Sequence, residues 1–65
     1  MKLRDKVLMY RAKNKLTIRQ FAELVGVTEM TISNIERGVQ SPSRSTVAKI
    51  MLVIGDEDES KHIED

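Results

Sequence analysis

Apolar residues recur along the chain at intervals of three and four, and no segment alternates cleanly between apolar and polar positions for more than a few residues. This spacing is typical of amphipathic helices, and no segment requires a strand. A first helix is predicted over about residues 2–13, with Leu3, Val7 and Tyr10 on one stripe and Asn14 as a further candidate. The pattern predicts an all-α fold, a compact bundle of four to five short helices.

Two helix start signals of the same kind lie close together. Thr17 is an N-cap candidate with Gln20 three residues later, the spacing of a capping box, and predicts a second helix over about residues 18–25. Thr28 repeats the N-cap and predicts a third helix over about residues 29–37. Two short capped helices joined by a turn of about three residues that contains a glycine are typical of a helix-turn-helix. The sequence therefore predicts this motif in the middle of the chain.

Glycine and proline mark the ends of these helices. Gly26 and Gly38 supply the positive φ that a helix C-terminus requires, and Pro42 prevents helix continuation. Ser43 then caps a predicted fourth helix over about residues 44–54. The residues of the helix-turn-helix predicted to face the common core are Phe21, Val25, Val27, Ile32 and Ile35. The apolar set of the fourth helix is Val47, Ala48, Ile50, Met51 and Ile54.

Composition removes several classes of function. The chain has 65 residues and no cysteine, which restricts it to one small domain without disulfides or thiolate metal sites. Its single histidine, His62, has no second histidine with which to share a metal, so carboxylate-only ion binding is the sole metal option. No nucleophile–base pair can be assembled, and we expect no enzyme, no cofactor and no metal site. No apolar run approaches the ~20 residues that span a bilayer, and no signal-like segment follows the N-terminus, so we expect a cytoplasmic protein without membrane contact.

Charge divides the chain into two parts. Residues 1–54 carry ten basic and four acidic side chains, a net charge of +6, and residues 55–65 carry one basic and six acidic ones, a net charge of −5. A basic body attracts polyanions, most commonly nucleic acid, unless its lysines only keep a small protein soluble. Charge alone leaves both interpretations open. We expect one helix-turn-helix domain over residues 1–55, followed by a mostly disordered acidic tail over residues 56–65.

The middle of the chain is similar to a known family. Residues 16–28 (LTIRQFAELVGVT), residues 31–38 (TISNIERG) and the Pro42-Ser43 pair resemble the phage-repressor and Cro type of helix-turn-helix, the xenobiotic response element-like DNA-binding family. The likeness covers about residues 3–55, and the IERG stretch is among its most diagnostic parts. It implies a sequence-specific transcriptional regulator that binds double-stranded DNA, acts as a repressor and is nucleoid-associated when bound.

The predicted recognition helix has four outward positions where such a helix approaches base edges in the major groove: Glu29, Met30, Ser33 and Asn34. Asn34 can pair two ways with adenine, and Ser33 can donate or accept a hydrogen bond. Glu29 can accept from the cytosine amine, and Met30 can pack on a thymine methyl. Two alternatives remain, Met30 as a rim residue of the core and Glu29 as an acid that the helix dipole favours in the first turn.

The resemblance implies phosphate contacts at the N-terminus of helix two, at two threonine hydroxyls and in the loop after helix three. The matching positions are Thr17, Arg19, Thr28, Thr31, Arg37, Gln40, Ser41 and Arg44. Ile18 departs from the family, whose members often have a phosphate-binding glutamine at that position. We expect Arg19 or backbone N–H groups at the helix terminus to replace that contact.

The resemblance also implies one structural ion pair. Glu36 lies in the last turn of helix three, where the helix dipole disfavours an acid, so a compensating cation is expected. Arg11 of helix one stands at the position from which family members reach this glutamate. The alternative is that these are two unrelated surface charges.

Helix four offers a surface for a second copy of the chain. Met51, Leu52, Val53 and Ile54 form an apolar run wider than one stripe requires, unless they only complete a small core. The resemblance implies a homodimer on a palindromic operator, because one copy reads too few base edges for much discrimination. The second class of function is an antitoxin-like interaction module on the same fold, in which the acidic tail binds a protein partner.

Deletion of residues 56–65 distinguishes the two classes of function. A DNA-binding regulator should keep or gain duplex affinity, since the deletion removes a net charge of −5 that repels phosphates. An interaction module should instead lose its partner. Fluorescence anisotropy with a labelled duplex, measured for both chain lengths, is the check, and a loss of duplex affinity on deletion would contradict the electrostatic interpretation.

Overall fold

The computed structural model describes residues 2–55, most of which lie in four α-helices. They are α1 (Leu3–Asn14), α2 (Ile18–Val25), α3 (Glu29–Arg37) and α4 (Arg44–Ile54). The predicted bounds of α2, α3 and α4 are confirmed, and α1 lies one residue further along the chain than predicted. No strand occurs in the described range, and the all-α prediction is confirmed. The predicted disorder of residues 56–65 lies outside the described residues.

A hydroxyl side chain caps the start of each of the last three helices. Thr17 Oγ1 accepts the Gln20 backbone N–H at 3.0 Å, and Gln20 Oε1 accepts the Thr17 backbone N–H at 2.9 Å, so the predicted capping box is formed. Thr28 and Ser43 each accept the backbone N–H of the residue three positions on, at 3.2 and 3.3 Å. These bonds satisfy donors that a helix start leaves without a partner, which explains why the helices begin at these residues.

Residues in the left-handed conformation end α1 and α2. Gly26 has a φ of +90°, and its N–H and that of Val27 both donate to the Ala22 carbonyl, at 2.8 and 3.0 Å. These bonds close the turn between α2 and α3. The C-cap residue of α1 is Lys15, whose φ of +55° is the left-handed conformation on a residue that has a Cβ.

Seven apolar side chains are buried at the centre of the bundle. They are Val7, Phe21, Ala22, Val25, Ile32, Ile35 and Ile50. α1 and α2 each pack against both α3 and α4, so the seven side chains form one cluster. The ring of Tyr10 packs against that of Phe21 with centroids 5.7 Å apart and planes tilted by 55°, a favourable aromatic arrangement. The position of α3 in the bundle is thus set by its contacts with two other helices.

Two expectations about the core are wrong. Asn14 is exposed, and its Nδ2 donates to the Tyr10 carbonyl at 2.9 Å, because a short amide in a last helical turn finds a backbone partner there. Ala48 is exposed, whereas Val53 packs against the core. The fully buried Ile50 defines the inward side of α4. Val53 follows Ile50 by three positions and shares that side. Ala48 precedes Ile50 by two positions, which places it about 200° from Ile50 around the helix axis.

Opposite substitutions at the left-handed residues that follow α1 and α2 should have opposite effects on stability. Gly26→Ala adds a Cβ that meets no atom within 4 Å, so its cost comes from backbone conformation alone, about 1 to 2 kcal/mol of unfolding free energy. Lys15→Gly removes that strain from the end of α1 and should stabilise the protein by up to about 1 kcal/mol. Urea unfolding followed by circular dichroism measures both changes. The same sign for both variants would rule out left-handed strain as the cause.

Candidate nucleic-acid interface

The guanidinium of Arg11 links α1 to the end of α3. Its Nε and Nη2 donate to the two carboxylate oxygens of Glu36 at 2.7 and 2.8 Å, and its Nη1 donates to the Leu16 carbonyl at 2.9 Å. The Glu36 side chain is only 9% exposed. The hydrogen bond to Glu36 raises the pKa of Arg11, with a smaller contribution from the glutamate charge, although burial acts in the opposite direction. The contact is therefore a bidentate ion pair, the geometry that a planar guanidinium fits best.

A second arginine supports the same end of α3. Arg4 Nε donates to the Glu36 backbone carbonyl at 2.6 Å. The last carbonyls of a helix have no partner within it and carry partial negative charge, so a cation is favourable there. Sequence reasoning missed this contact. A signal was available, because Arg4 and Arg11 are seven residues apart and therefore share one side of α1.

The buried side of α3 determines which of its residues are accessible. Ile32 and Ile35 face the core. The four predicted base-reading residues lie on the opposite side, within about 140° of one another around the helix axis. They are Glu29, Met30, Ser33 and Asn34, of which the first two are exposed and the last two are half-buried. Met30 is 66% exposed and lies outside the core cluster.

Two pairs of uncharged side chains among the predicted DNA-contacting residues lie within hydrogen-bond distance. Asn34 Nδ2 donates to Gln40 Oε1 at 3.1 Å, which joins a predicted base reader to the loop after α3. The Thr28 and Thr31 hydroxyl oxygens lie 3.0 Å apart at the start of α3. An amide has two N–H donors and an acceptor oxygen, and a hydroxyl both donates and accepts, so each pair keeps hydrogen-bonding capacity for an external group.

Arg19 connects the first turns of α2 and α3. Its Nε lies 3.7 Å from Glu23 Oε2 and 4.0 Å from Glu29 Oε2. All three side chains are more than half exposed, so each contact contributes only about 0 to 1 kcal/mol to stability. The sequence predicted that Arg19 contacts a phosphate and that Glu29 contacts a base, but it did not predict that the two side chains contact each other.

The remaining predicted phosphate-contacting residues lie before α2 and at the end of α3, in the loop after it and at the start of α4. They are Thr17, Arg37, Gln40, Ser41 and Arg44, and all are exposed. Ile18 is half-buried and packs against the core, so its side chain contributes to packing rather than to a polar surface. Hydroxyl, amide and guanidinium donors therefore flank α3 at both of its ends.

A short helix with one buried side and one polar accessible side, set against a second capped helix, is typical of the helix-turn-helix class of DNA-binding protein. A family model described as Helix-turn-helix matches residues 7–59, which are 53 of the 65 residues. The chain belongs to this family, in its Cro/C1 type. Comparisons with curated proteins and with solved structures gave no match.

Membership of the family makes this protein a DNA-binding regulator of transcription. The family consists of regulatory DNA-binding domains, which are not typically enzymes. Within residues 2–55, no helix combines the length and the apolar character needed to cross a membrane.

A double-mutant cycle measures how strongly α1 holds the end of α3. Arg11→Met and Glu36→Gln should show a coupling free energy of about 1 to 3 kcal/mol, because the pair is bidentate and Glu36 is largely shielded from water. The control cycle is the exposed Arg19–Glu23 pair, where Arg19→Met and Glu23→Gln should couple by about 0.5 kcal/mol or less. Urea unfolding of the single and double variants supplies the values. Equal coupling in the two cycles would contradict a structural role for Arg11.

Proposed function

We propose that this DNA-binding regulator is a repressor that occupies a palindromic operator as a homodimer and so blocks polymerase. Its recognition helix is α3. The observation that carries the proposal is the polar, accessible side of α3, whose other side is buried and whose end is bonded to Arg4 and Arg11. The major groove of DNA admits an α-helix, and α3 can enter it without uncovering the core.

Four side chains on the accessible side of α3 read base edges in this proposal. Asn34 has the donor and the acceptor that two bonds to adenine require, and Ser33 can donate or accept. Glu29 can accept from a cytosine amine once Arg19 leaves it, and Met30 can contact a thymine methyl. At about 1 to 3 kcal/mol of discrimination for each good contact, four such residues specify only a short half-site.

Phosphate contacts hold α3 in register on the duplex, because contacts to the backbone fix orientation without reading sequence. They come from side chains around α3, which are Thr17, Arg19, Thr28, Thr31, Arg37, Gln40, Ser41 and Arg44. A phosphate competes for Arg19 with two exposed carboxylates, whose contacts are worth only about 0 to 1 kcal/mol each. The proposal implies a cytoplasmic protein that is nucleoid-associated when bound to DNA.

The dimer contact lies on α4 in this proposal. Leu52 is 85% exposed, whereas Val53 and Ile54 are half-buried against the core. Leu52 is thus the most accessible member of the apolar run, and its burial by a second copy removes apolar surface from water. Two copies present two α3 helices to half-sites about 34 Å apart and double the number of base pairs read.

An antitoxin-like interaction module on the same fold is the second candidate function. The observation that favours it is the net charge of −5 on residues 55–65 beside a net charge of +6 on residues 1–54. An acidic segment of this kind suits a basic surface on a protein partner. Removal of residues 56–65 separates this function from DNA binding.

Selection of bound sequences from random duplex DNA tests the proposed function and yields the half-site and its spacing. On the selected site, Asn34→Ala should relax discrimination at one base pair by about 1 to 3 kcal/mol. Arg44→Ala should weaken binding to all sequences alike. It should also make the negative slope of log K against log salt shallower by about 0.9. Fluorescence anisotropy titrations at several salt concentrations measure both effects.

Identical behaviour of Asn34→Ala and Arg44→Ala would contradict the division into base readers and phosphate anchors. Nuclear magnetic resonance tests the interface directly, because amide resonances report which surface meets the duplex. The proposal as a whole fails if binding is independent of salt, or if a duplex leaves the amide resonances of residues 29–37 unmoved while others respond.

Leu52→Lys should separate dimer formation from affinity for DNA. The substitution puts a charge at the most accessible apolar position of α4, so cooperative binding of two copies to a palindromic duplex should be lost. The added positive charge attracts DNA, so the affinity of a single copy for DNA should not fall. Met9→Lys, at an exposed apolar position of α1, is the matched control and should keep cooperativity. Sedimentation velocity with full-site and half-site duplexes gives the stoichiometry. Two-to-one complexes that form as cooperatively in Leu52→Lys as in wild type would remove α4 from the dimer contact.

A further inference from the structure

The side-chain amide of Asn34 is held by a residue beyond the recognition helix. Its Nδ2 donates to Gln40 Oε1 at 3.1 Å, across the turn at Gly38 that ends α3. Two backbone bonds shape this turn: the Val39 N–H donates to the Asn34 carbonyl and the Gly38 N–H to the Ile35 carbonyl, each at 3.1 Å. Gln40 therefore reaches Asn34 from a hydrogen-bonded helix end rather than from an unsupported loop.

The hydrogen bond to Gln40 couples the orientation of the Asn34 amide to that of the Gln40 amide. A carboxamide has an oxygen that accepts and a nitrogen that carries two donor hydrogens. With one hydrogen directed at Gln40, the oxygen and the second hydrogen remain available to an external group. Reversal of the Asn34 amide alone would bring two oxygens together, so Asn34 can reverse and keep this bond only if the Gln40 amide reverses with it.

The two available groups of Asn34 match the major-groove edge of adenine, where N7 accepts and the N6 amine donates. We propose, on the basis of the proposed function, that Gln40 is a positioning residue for adenine specificity, which holds the Asn34 amide in the orientation that pairs with both adenine groups. An amide oriented before binding loses less rotational freedom in the complex. This role differs from the phosphate contact that the family resemblance implies for Gln40.

Glutamate and lysine substitutions separate positioning from phosphate contact. Gln40→Glu keeps an acceptor oxygen for Asn34 but adds a negative charge that repels phosphate. Gln40→Lys removes every acceptor, since an ammonium group only donates, but adds a positive charge that attracts phosphate. The Gln40 side chain is exposed, so both variants should fold, which the midpoint of urea unfolding checks. If Gln40 positions Asn34, Gln40→Glu should keep more adenine preference than Gln40→Lys. If Gln40 only contacts a phosphate, the two variants should differ in overall affinity, with Gln40→Lys the tighter, and not in adenine preference.

The measured quantity is the adenine preference, the ratio of Kd for a duplex with guanine at the Asn34-dependent position to Kd for the selected duplex. Gln40→Lys should lower this ratio by about two- to tenfold, the effect of one hydrogen bond, while binding both duplexes at least as tightly overall. Gln40→Glu should keep the ratio and bind both duplexes more weakly. Val39→Lys and Val39→Glu are the matched controls, because Val39 is an exposed neighbour without a polar side-chain atom. Both should leave the ratio unchanged.

The free protein supplies a second readout that needs no DNA. The Asn34 side-chain amide hydrogens should exchange with water faster in Gln40→Lys than in wild type, and no faster in Gln40→Glu. An adenine preference in Gln40→Lys equal to that in Val39→Lys overturns the inference and leaves the proposed function intact. A wild-type protein that selects no duplex sequence overturns the proposed function, and the inference with it.

Discussion

Three hydrogen bonds from the guanidinium of Arg11, two to Glu36 and one to the Leu16 carbonyl, join α1, α3 and the segment that leads into α2. The core of seven buried side chains is small, and the chain has no cysteine with which to reinforce it. Because the Glu36 side chain is only 9% exposed, loss of its arginine leaves a charge without a partner, which costs more than a missing surface contact. The contact therefore helps to fix the orientation of the accessible side of α3, and with it the α3 side chains that are proposed to meet DNA.

Polar groups around the accessible side of α3 already contact one another in the free protein. Arg19 lies between two glutamates, and Asn34 is bonded to Gln40. The exposed ion pairs of Arg19 are worth about 1 kcal/mol or less, so a phosphate can replace them at small cost. The bond to Gln40 uses only one hydrogen of the Asn34 amide and can stay in place when Asn34 meets a base. The bidentate contact of Arg11 is different, because its glutamate is shielded from solvent. Burial thus separates the contact that holds α3 from the exposed ion pairs of Arg19, which can change partner in the proposed complex with DNA.

Much of the fold follows from chemistry within a few residues. A threonine or serine side chain caps a helix by accepting the backbone N–H three positions on, which is why Thr17, Thr28 and Ser43 mark helix starts without reference to the rest of the molecule. The contacts between distant residues at the candidate site could not be predicted in this way. Arg11 and Glu36 are 25 residues apart, and only resemblance to a family linked them, since no local rule pairs side chains at that distance.

The amino-acid sequence by itself determined the helices, their caps and the polar side of α3, because each depends on residues within one or two turns of one another. Only the tertiary structure decided that α4 turns Val53 inward and Ala48 outward, that Arg4 bonds the end of α3, and that Gln40 holds Asn34. A wide apolar pattern indicates that a helix has a buried side without fixing its rotation about its own axis. That rotation, and the side-chain contacts that follow from it, come from packing all four helices around one core.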